Sequence, residues 1–132
     1  MNMKVLAMNG SARKDGNTAI LVNTVFEDLN KAGIETEMVQ LSGSTLEPCK
    51  ARWACGGKRN CVYKNDLFQE IFEKAVQADG ILLASPVYNA NISATMQAFL
   101  ERAGVVTDMN RDANLFRHKV GAAITAARRS MR

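Results

Sequence analysis

The chain has 132 residues, of which 47% are hydrophobic and 23% charged, and it carries a net charge of +4. This size and apolar content suit one globular domain, spanning 1–132, with a core of its own. The positive charge is modest, and no lysine block or basic-aromatic surface accompanies it, which argues against nucleic acid; no apolar stretch approaches a membrane span.

In chain order, Met3-Lys4-Val5-Leu6-Ala7-Met8 reads as a buried strand. Lys4 interrupts this run, which is too short for the apolar core of a signal peptide. A polar loop follows, Asn9-Gly10-Ser11-Ala12-Arg13-Lys14-Asp15-Gly16-Asn17-Thr18, and then a helix running to about Ala32. Ile20, Leu21, Val25 and Leu29 fall near one helix face, and Gly33 is placed as its C-terminal residue. Such a loop gathers small residues, backbone N–H groups and an Arg-Lys pair at a helix start, the requirements of a phosphate monoester. It matches neither the dinucleotide G-x-G-x-x-G pattern nor a Walker loop, so one terminal phosphate suits it better than a pyrophosphate. Ser11, Asn17 and Thr18 offer side-chain donors, the amides from Arg13 through Gly16 to Thr18 line the cradle, and Arg13 adds charge. The alternative is a plain polar turn with Asn17 as a helix cap.

Glu35 to Leu41 alternates polar and apolar and reads as a half-exposed strand near a sheet edge. Residues 42–65 show no period and hold Pro48, Trp53 and all three cysteines; a loop this long is usually functional. Asp66 is placed to cap the next helix, with Leu67, Ile71, Phe72, Ala75 and Val76 at helical spacing. Ile81-Leu82-Leu83-Ala84 is the continuous apolar run of a central parallel strand. Ser85-Pro86-Val87-Tyr88-Asn89-Ala90-Asn91 reads as the loop beyond it, with Tyr88 and Asn89 able to face a planar ring; a surface turn with one exposed Tyr is the alternative. A helix from Ser93 to about Ala103 and a strand from Lys119 to Thr125 complete the pattern. Alternating strands and helices imply a parallel α/β sheet with right-handed crossovers, whose ligands sit beyond the carboxyl ends of the strands.

The first loop, the segment from Ala78 to Asn89 and the helix from Ser93 to Arg102 together resemble the NADPH-dependent FMN reductase family. The resemblance implies a flavodoxin-like three-layer fold in which the chain is a single FMN-binding domain. By resemblance, Ser11, Arg13, Gly16, Asn17 and Thr18 hold the FMN phosphate. Pro86, Val87, Tyr88 and Asn89 contact the ribityl chain and isoalloxazine, and a weak third match falls near Ala126-Ala127-Arg128. NADPH or NADH is the implied reductant and a free flavin, quinone or nitro compound the implied acceptor. No side chain is needed as acid or base, so no catalytic residue is assigned. An FMN-binding electron carrier without turnover of its own is the alternative. The resemblance also implies a homodimer or homotetramer.

Cys49, Cys55 and Cys61 are similar in placement to the cysteines of the iron–sulfur flavoprotein branch, with Arg52 at that motif's second cysteine position. An iron–sulfur cubane takes four thiolates, so free thiols and no metal site are expected. Three cysteines without an export signal suit reduced thiols in a cytoplasm. His118 reads as an exposed structural residue, and Arg128, Arg129 and Arg132 as a solvated tail. Flavodoxin-like sheets carry strand order 2-1-3-4-5. Four strands are legible here, in the order 2-1-3-4, and the fifth is expected to be missing, through a truncated product, an incomplete gene or a partner-supplied element. That would leave the fourth strand as an exposed edge.

Overall fold

A computed structural model describes residues 2–43 and 45–128 of the chain. Its elements are β1 (Lys4–Asn9), α1 (Asn17–Lys31), β2 (Glu35–Gln40), α2 (Phe68–Gln77), β3 (Gly80–Tyr88), β4 (Asn91–Ile92), α3 (Ala94–Met109) and β5 (Val120–Ala126). β1 pairs in parallel with β2 on one side and β3 on the other. β5 pairs in parallel with β3 from Gly80 to Pro86. The four long strands thus follow the expected order 2-1-3-4, with β5 as the fourth. The additional β4 is a two-residue antiparallel partner of Val87 and Tyr88.

Alternation along the strands builds two cores. Ala7, Leu82 and Ala84 face α1, where Val22 and Phe26 are buried and Leu29 packs against them. Leu6 and Met8 face the opposite way, into a cluster with Phe68, Phe72 and Phe99 from α2 and α3. The Phe68 ring lies 5.3 Å from the rings of both Phe72 and Phe99. Three layers result: α1, the sheet, then α2 with α3. No helix among the described residues is long and apolar enough to cross a membrane.

Several expectations change. α1 buries Thr18, Ala19, Val22 and Phe26, while Ile20 and Leu21 are 58% and 41% exposed and Val25 lies outside as well. Val22 and Phe26 take the inner face against Ala7, Leu82 and Ala84, so the stripe of Ile20, Leu21 and Val25 turns outward. Gly16, not Asn17, precedes the helix, and no side chain caps it. β3 continues through the segment read as a loop, to Tyr88. Pro86 is tolerated there because the ladder with β1 ends at Ala84, so little is lost with its missing N–H. α3 runs past Gly104 to Met109 because Val106 is buried on its inner face. His118 is exposed, as expected, and so is Arg128; Arg129 and Arg132 lie outside the described residues.

The irregular segment between β2 and α2 is tied down by Arg102 of α3. Arg102 and Asp66 form a buried ion pair at 2.5 Å with side-chain exposures of 2% and 0%. Arg102 also donates to the Glu47 carbonyl at 3.1 Å and the Tyr63 carbonyl at 3.4 Å. Asp66 accepts from the Glu47 N–H at 2.9 Å and, doing part of a cap's work, from the Phe68 N–H at 3.2 Å. Burial would raise the Asp66 carboxyl, but the bond from Arg102 and the two backbone donors outweigh it and hold it below the usual range.

Breaking a buried pair leaves an uncompensated charge, so Asp66→Ala is expected to cost about 3–5 kcal/mol, read as a lower urea midpoint. A lowered folded pKa means that the stabilisation is present above the unfolded value of about 3.9 and is lost as pH falls through the folded one. Wild-type stability should therefore drop in acid below about pH 4, and the Asp66→Ala profile should be flatter there.

Candidate functional site

The parallel register sets the end of β1 level with the middle of β3, with Asn9 opposite Ala84. The Gly10 N–H donates to the Ala84 carbonyl at 2.8 Å. Here the two segments singled out in the sequence meet, at the carboxyl edge of the sheet. Gly10 packs under the start of α3: a Cβ there would stand 2.9 Å from Ser93 Oγ and 3.1 Å from Met96 Cβ. Ser93 is held by its N–H donating to Ser85 Oγ at 3.0 Å and by accepting from the Met96 N–H at 3.2 Å.

The loop after β1 is shaped by a polar network that extends to β2. Asn9 accepts from the Ser11 N–H at 3.0 Å and donates to Gln40 Oε1 at 3.0 Å. Gln40 Nε2 donates to the Ser11 carbonyl and to Ser42 Oγ, both at 2.7 Å. Ser42 Oγ donates to the Ser11 carbonyl at 2.8 Å, and Ser11 Oγ accepts from the Arg13 N–H at 3.0 Å. Asn9, Gln40 and Ser42 were not singled out from the sequence. Their signal was available only for Asn9, a polar residue at the end of an apolar strand.

Of the expected site residues, Ser11 and Thr18 are buried, at 5% and 2% exposure. Arg13 and Asn17 are exposed and Gly16 is half-buried between them. The uncapped N-terminus of α1 opens beside this loop. Pro86 is buried, Val87 half-buried, and Tyr88 and Asn89 exposed. Tyr88 crosses to the first loop, where its hydroxyl accepts from the Ala12 N–H at 3.2 Å. The Ser11 hydroxyl, the Ala12 N–H and the nearby Arg13 charge hold the Tyr88 phenol below its usual range, against a smaller effect of burial. Asn89 and Ala90 have φ of 47° and 63°. They form the two-residue turn between Tyr88 and Asn91, a conformation that Asn accepts readily and Ala does not. Ala127 and Arg128 follow β5 at the same edge and are exposed.

The three cysteines lie elsewhere, against α3. They line one small cavity with Arg52, Tyr63 and Arg102. Arg102 Nη2 donates to Cys61 Sγ at 3.2 Å. Burial pushes the Cys55 thiol up, and the neighbouring Cys61 and Cys49 add to it. Among the described residues no group of three or more His, Cys, Asp or Glu side chains is arranged to hold a metal ion.

A three-layer parallel sheet with a tight polar loop after β1 and its partner segment after β3 defines a flavodoxin-like α/β protein. The chain belongs to the NADPH-dependent FMN reductase family, whose model matches residues 3–132. It is similar to an iron-sulfur flavoprotein of Methanosarcina thermophila, 36% identical over 123 residues that cover 93% of this chain and 62% of the relative. An iron-sulfur flavoprotein of Methanocaldococcus jannaschii is also 36% identical, over 92% of this chain and 61% of its own. The chain thus spans about three-fifths of the length of these curated relatives. Among solved structures, RosB with bound 8-demethyl-8-formylriboflavin-5'-phosphate superposes with a TM-score of 0.74 at 23% identity, over 97% of this chain and 53% of that one. An FMN-dependent NADH-azoreductase from Bacillus anthracis in complex with FMN gives a TM-score of 0.61 at 13% identity, over 94% of this chain and 69% of that one. These two likenesses show the shared fold.

Two outcomes follow from the site's packing. Gly10→Ala forces a Cβ into Ser93 and Met96 and is expected to cost about 1–3 kcal/mol, read as a lower thermal midpoint. Ser11→Ala should move the Tyr88 phenolate transition up toward the ordinary value of about 10 in an ultraviolet pH titration. Tyr88→Phe identifies that transition by abolishing it, and an unmoved transition in Ser11→Ala would rule out the hydroxyl as its cause.

Proposed function

We propose that residues 1–132 form one FMN-binding domain of an NAD(P)H-dependent oxidoreductase, with the FMN phosphate in the loop from Ser11 to Thr18. The observation that carries this reading is the contact of Tyr88 Oη with the Ala12 N–H at 3.2 Å. It joins the two cofactor segments, and it places an oxygen on a backbone donor of the proposed cradle. The donor set fits a phosphate monoester: loop amides, an open helix N-terminus, the Thr18 hydroxyl and the Arg13 guanidinium at one place. Gly10 keeps the loop close to α3, where a side chain would push it away.

When bound, FMN supplies the redox chemistry, accepting hydride from a nicotinamide and releasing electrons to a second substrate. The chain's own residues bind and orient. Ser11, Gly16, Asn17 and Thr18 hold the phosphate with Arg13 as counter-charge. Pro86 and Val87 flank the ribityl chain, and Tyr88 and Asn89 flank the ring. Acceptors of the flavin, quinone or nitro class, reached in a cytoplasm, belong to this reading. So does a homodimer or homotetramer, supported by the outward-facing apolar side chains of Ile20, Leu21 and Val120.

FMN titration followed by flavin fluorescence tests the site. Each charge-assisted or hydroxyl contact is worth about 1–3 kcal/mol, so Arg13→Ala combined with Thr18→Ala should weaken binding about tenfold or more. Unchanged affinity would remove the phosphate assignment. Bleaching of bound flavin by NADPH or NADH alone supports turnover; bleaching only with a separate reductase makes the chain an electron carrier.

A further inference from the structure

The name shared by the curated relatives raises a second redox group, an iron–sulfur cluster, and the three thiols of this chain meet at one place. Cys49, Cys55 and Cys61 line the same small cavity as Arg52 and Tyr63. That cavity measures about 30 Å³. At the roughly 10–15 Å³ that a water needs, it holds two or three waters, far less than four irons and four sulfides. A four-iron cluster takes four thiolates, and the wall offers three. Where a fourth ligand could stand, Arg52 presents a guanidinium, which has no lone pair to give and stays protonated.

The local charges point the same way. Lys50 is paired with Glu47 at 2.6 Å, and Arg102 with Asp66 at 2.5 Å. Arg52 has no carboxylate within ion-pair distance among the described residues; its guanidinium stands 5.5 Å from the Tyr63 ring centroid. Its neighbours Ala51 and Trp53 both hold positive φ, 54° and 53°. Such backbone costs about 1–3 kcal/mol per residue, and here it presents Arg52 to the thiol pocket. Two of the three sulfurs are already engaged as well: Cys61 Sγ accepts from Arg102 and Cys49 Sγ from the Ala51 N–H at 3.4 Å.

We propose that Arg52 keeps this three-thiol pocket free of a four-iron cluster, and that a fourth thiol at position 52 is what the pocket lacks. The inference goes beyond the flavin reading and does not depend on it. The purified protein is incubated anaerobically with ferrous iron, sulfide and a thiol reductant, desalted, and assayed for iron and acid-labile sulfide. The wild type and Arg52→Ala are expected to retain well under one iron per chain. Arg52→Cys is expected to retain about four irons and four sulfides, with broad visible absorbance. Three or four irons on the wild type or on Arg52→Ala would show that three thiols suffice and would overturn the proposal. An iron-free Arg52→Cys whose circular dichroism matches the wild type would overturn the role of position 52. Flavin titration of the same samples is a separate reading, so a failed phosphate assignment and a failed cluster exclusion give different results.

Discussion

The ion pair between Arg102 and Asp66 organises the part of the chain that secondary structure does not. Between Gln40 and Phe68 there is no helix or strand among the described residues, so backbone ladders cannot hold that segment in place. One guanidinium does much of the work. Its Nη1 and Nη2 reach Asp66, the Glu47 and Tyr63 carbonyls and Cys61 Sγ, while its flat face lies 4.2 Å from the Phe68 ring centroid. A lysine could not satisfy four acceptors and stack as well. The consequence is positional: the start of α2, the thiol pocket and α3 become one packed body on one face of the sheet. Removing the charge from either partner would release the loop as well as the pair.

At the proposed cofactor site the constraint is different. Parallel pairing sets the end of β1 beside Ala84 in the middle of β3, and polar side chains then give the exit of β1 its shape. Gln40 is the central member, since its amide both accepts from Asn9 and donates to the Ser11 carbonyl and Ser42. This arrangement turns the Ser11 carbonyl away and satisfies it, while the Ala12 N–H faces the Tyr88 hydroxyl and the Arg13 N–H is held by Ser11 Oγ. A cradle for an anion needs both halves of that arrangement: donors presented and acceptors hidden. The Tyr88 hydroxyl on Ala12 is the visible sign that a donor is presented there.

The sequence made the strand order and the meeting of these two segments legible because both rest on local signals. Apolar runs, small polar residues and right-handed crossovers suffice to place them. What it hid was decided by partners distant in sequence. The two faces of α1 are both apolar, and only packing of Val22 and Phe26 on Ala7, Leu82 and Ala84 fixes the one with Thr18, Ala19, Val22 and Phe26 as the inner one. Pro86 reads as a strand end until it is known that β1 has already stopped. Asp66 reads as a helix cap, which it partly is, while its ion pair spans 36 residues to an arginine that helical spacing places without distinction on α3. Gln40 and Ser42 carry no signal, because a polar residue at the end of an edge strand is ordinary.

The two edges of the sheet are finished differently. β2 carries Glu35 and Glu37, and Glu37 is pinned by Lys4 at 2.8 Å and Lys74 at 2.5 Å; charge of this kind discourages a second sheet from pairing there. β5, with the sequence Val-Gly-Ala-Ala-Ile-Thr-Ala, has no charge, and Val120 is 72% exposed. On the face shared by α2 and α3, an open groove of about 720 Å³ lies along Ile81, Leu83, Leu100 and Phe116. The handedness already set by β3, α3 and β5 links these two features. A further right-handed crossover extending the sheet past β5 would carry its helix on that same face. Among the described residues the bare edge and the apolar groove are thus two sides of one surface, and a crossover that covered the edge by this route would also cover the groove.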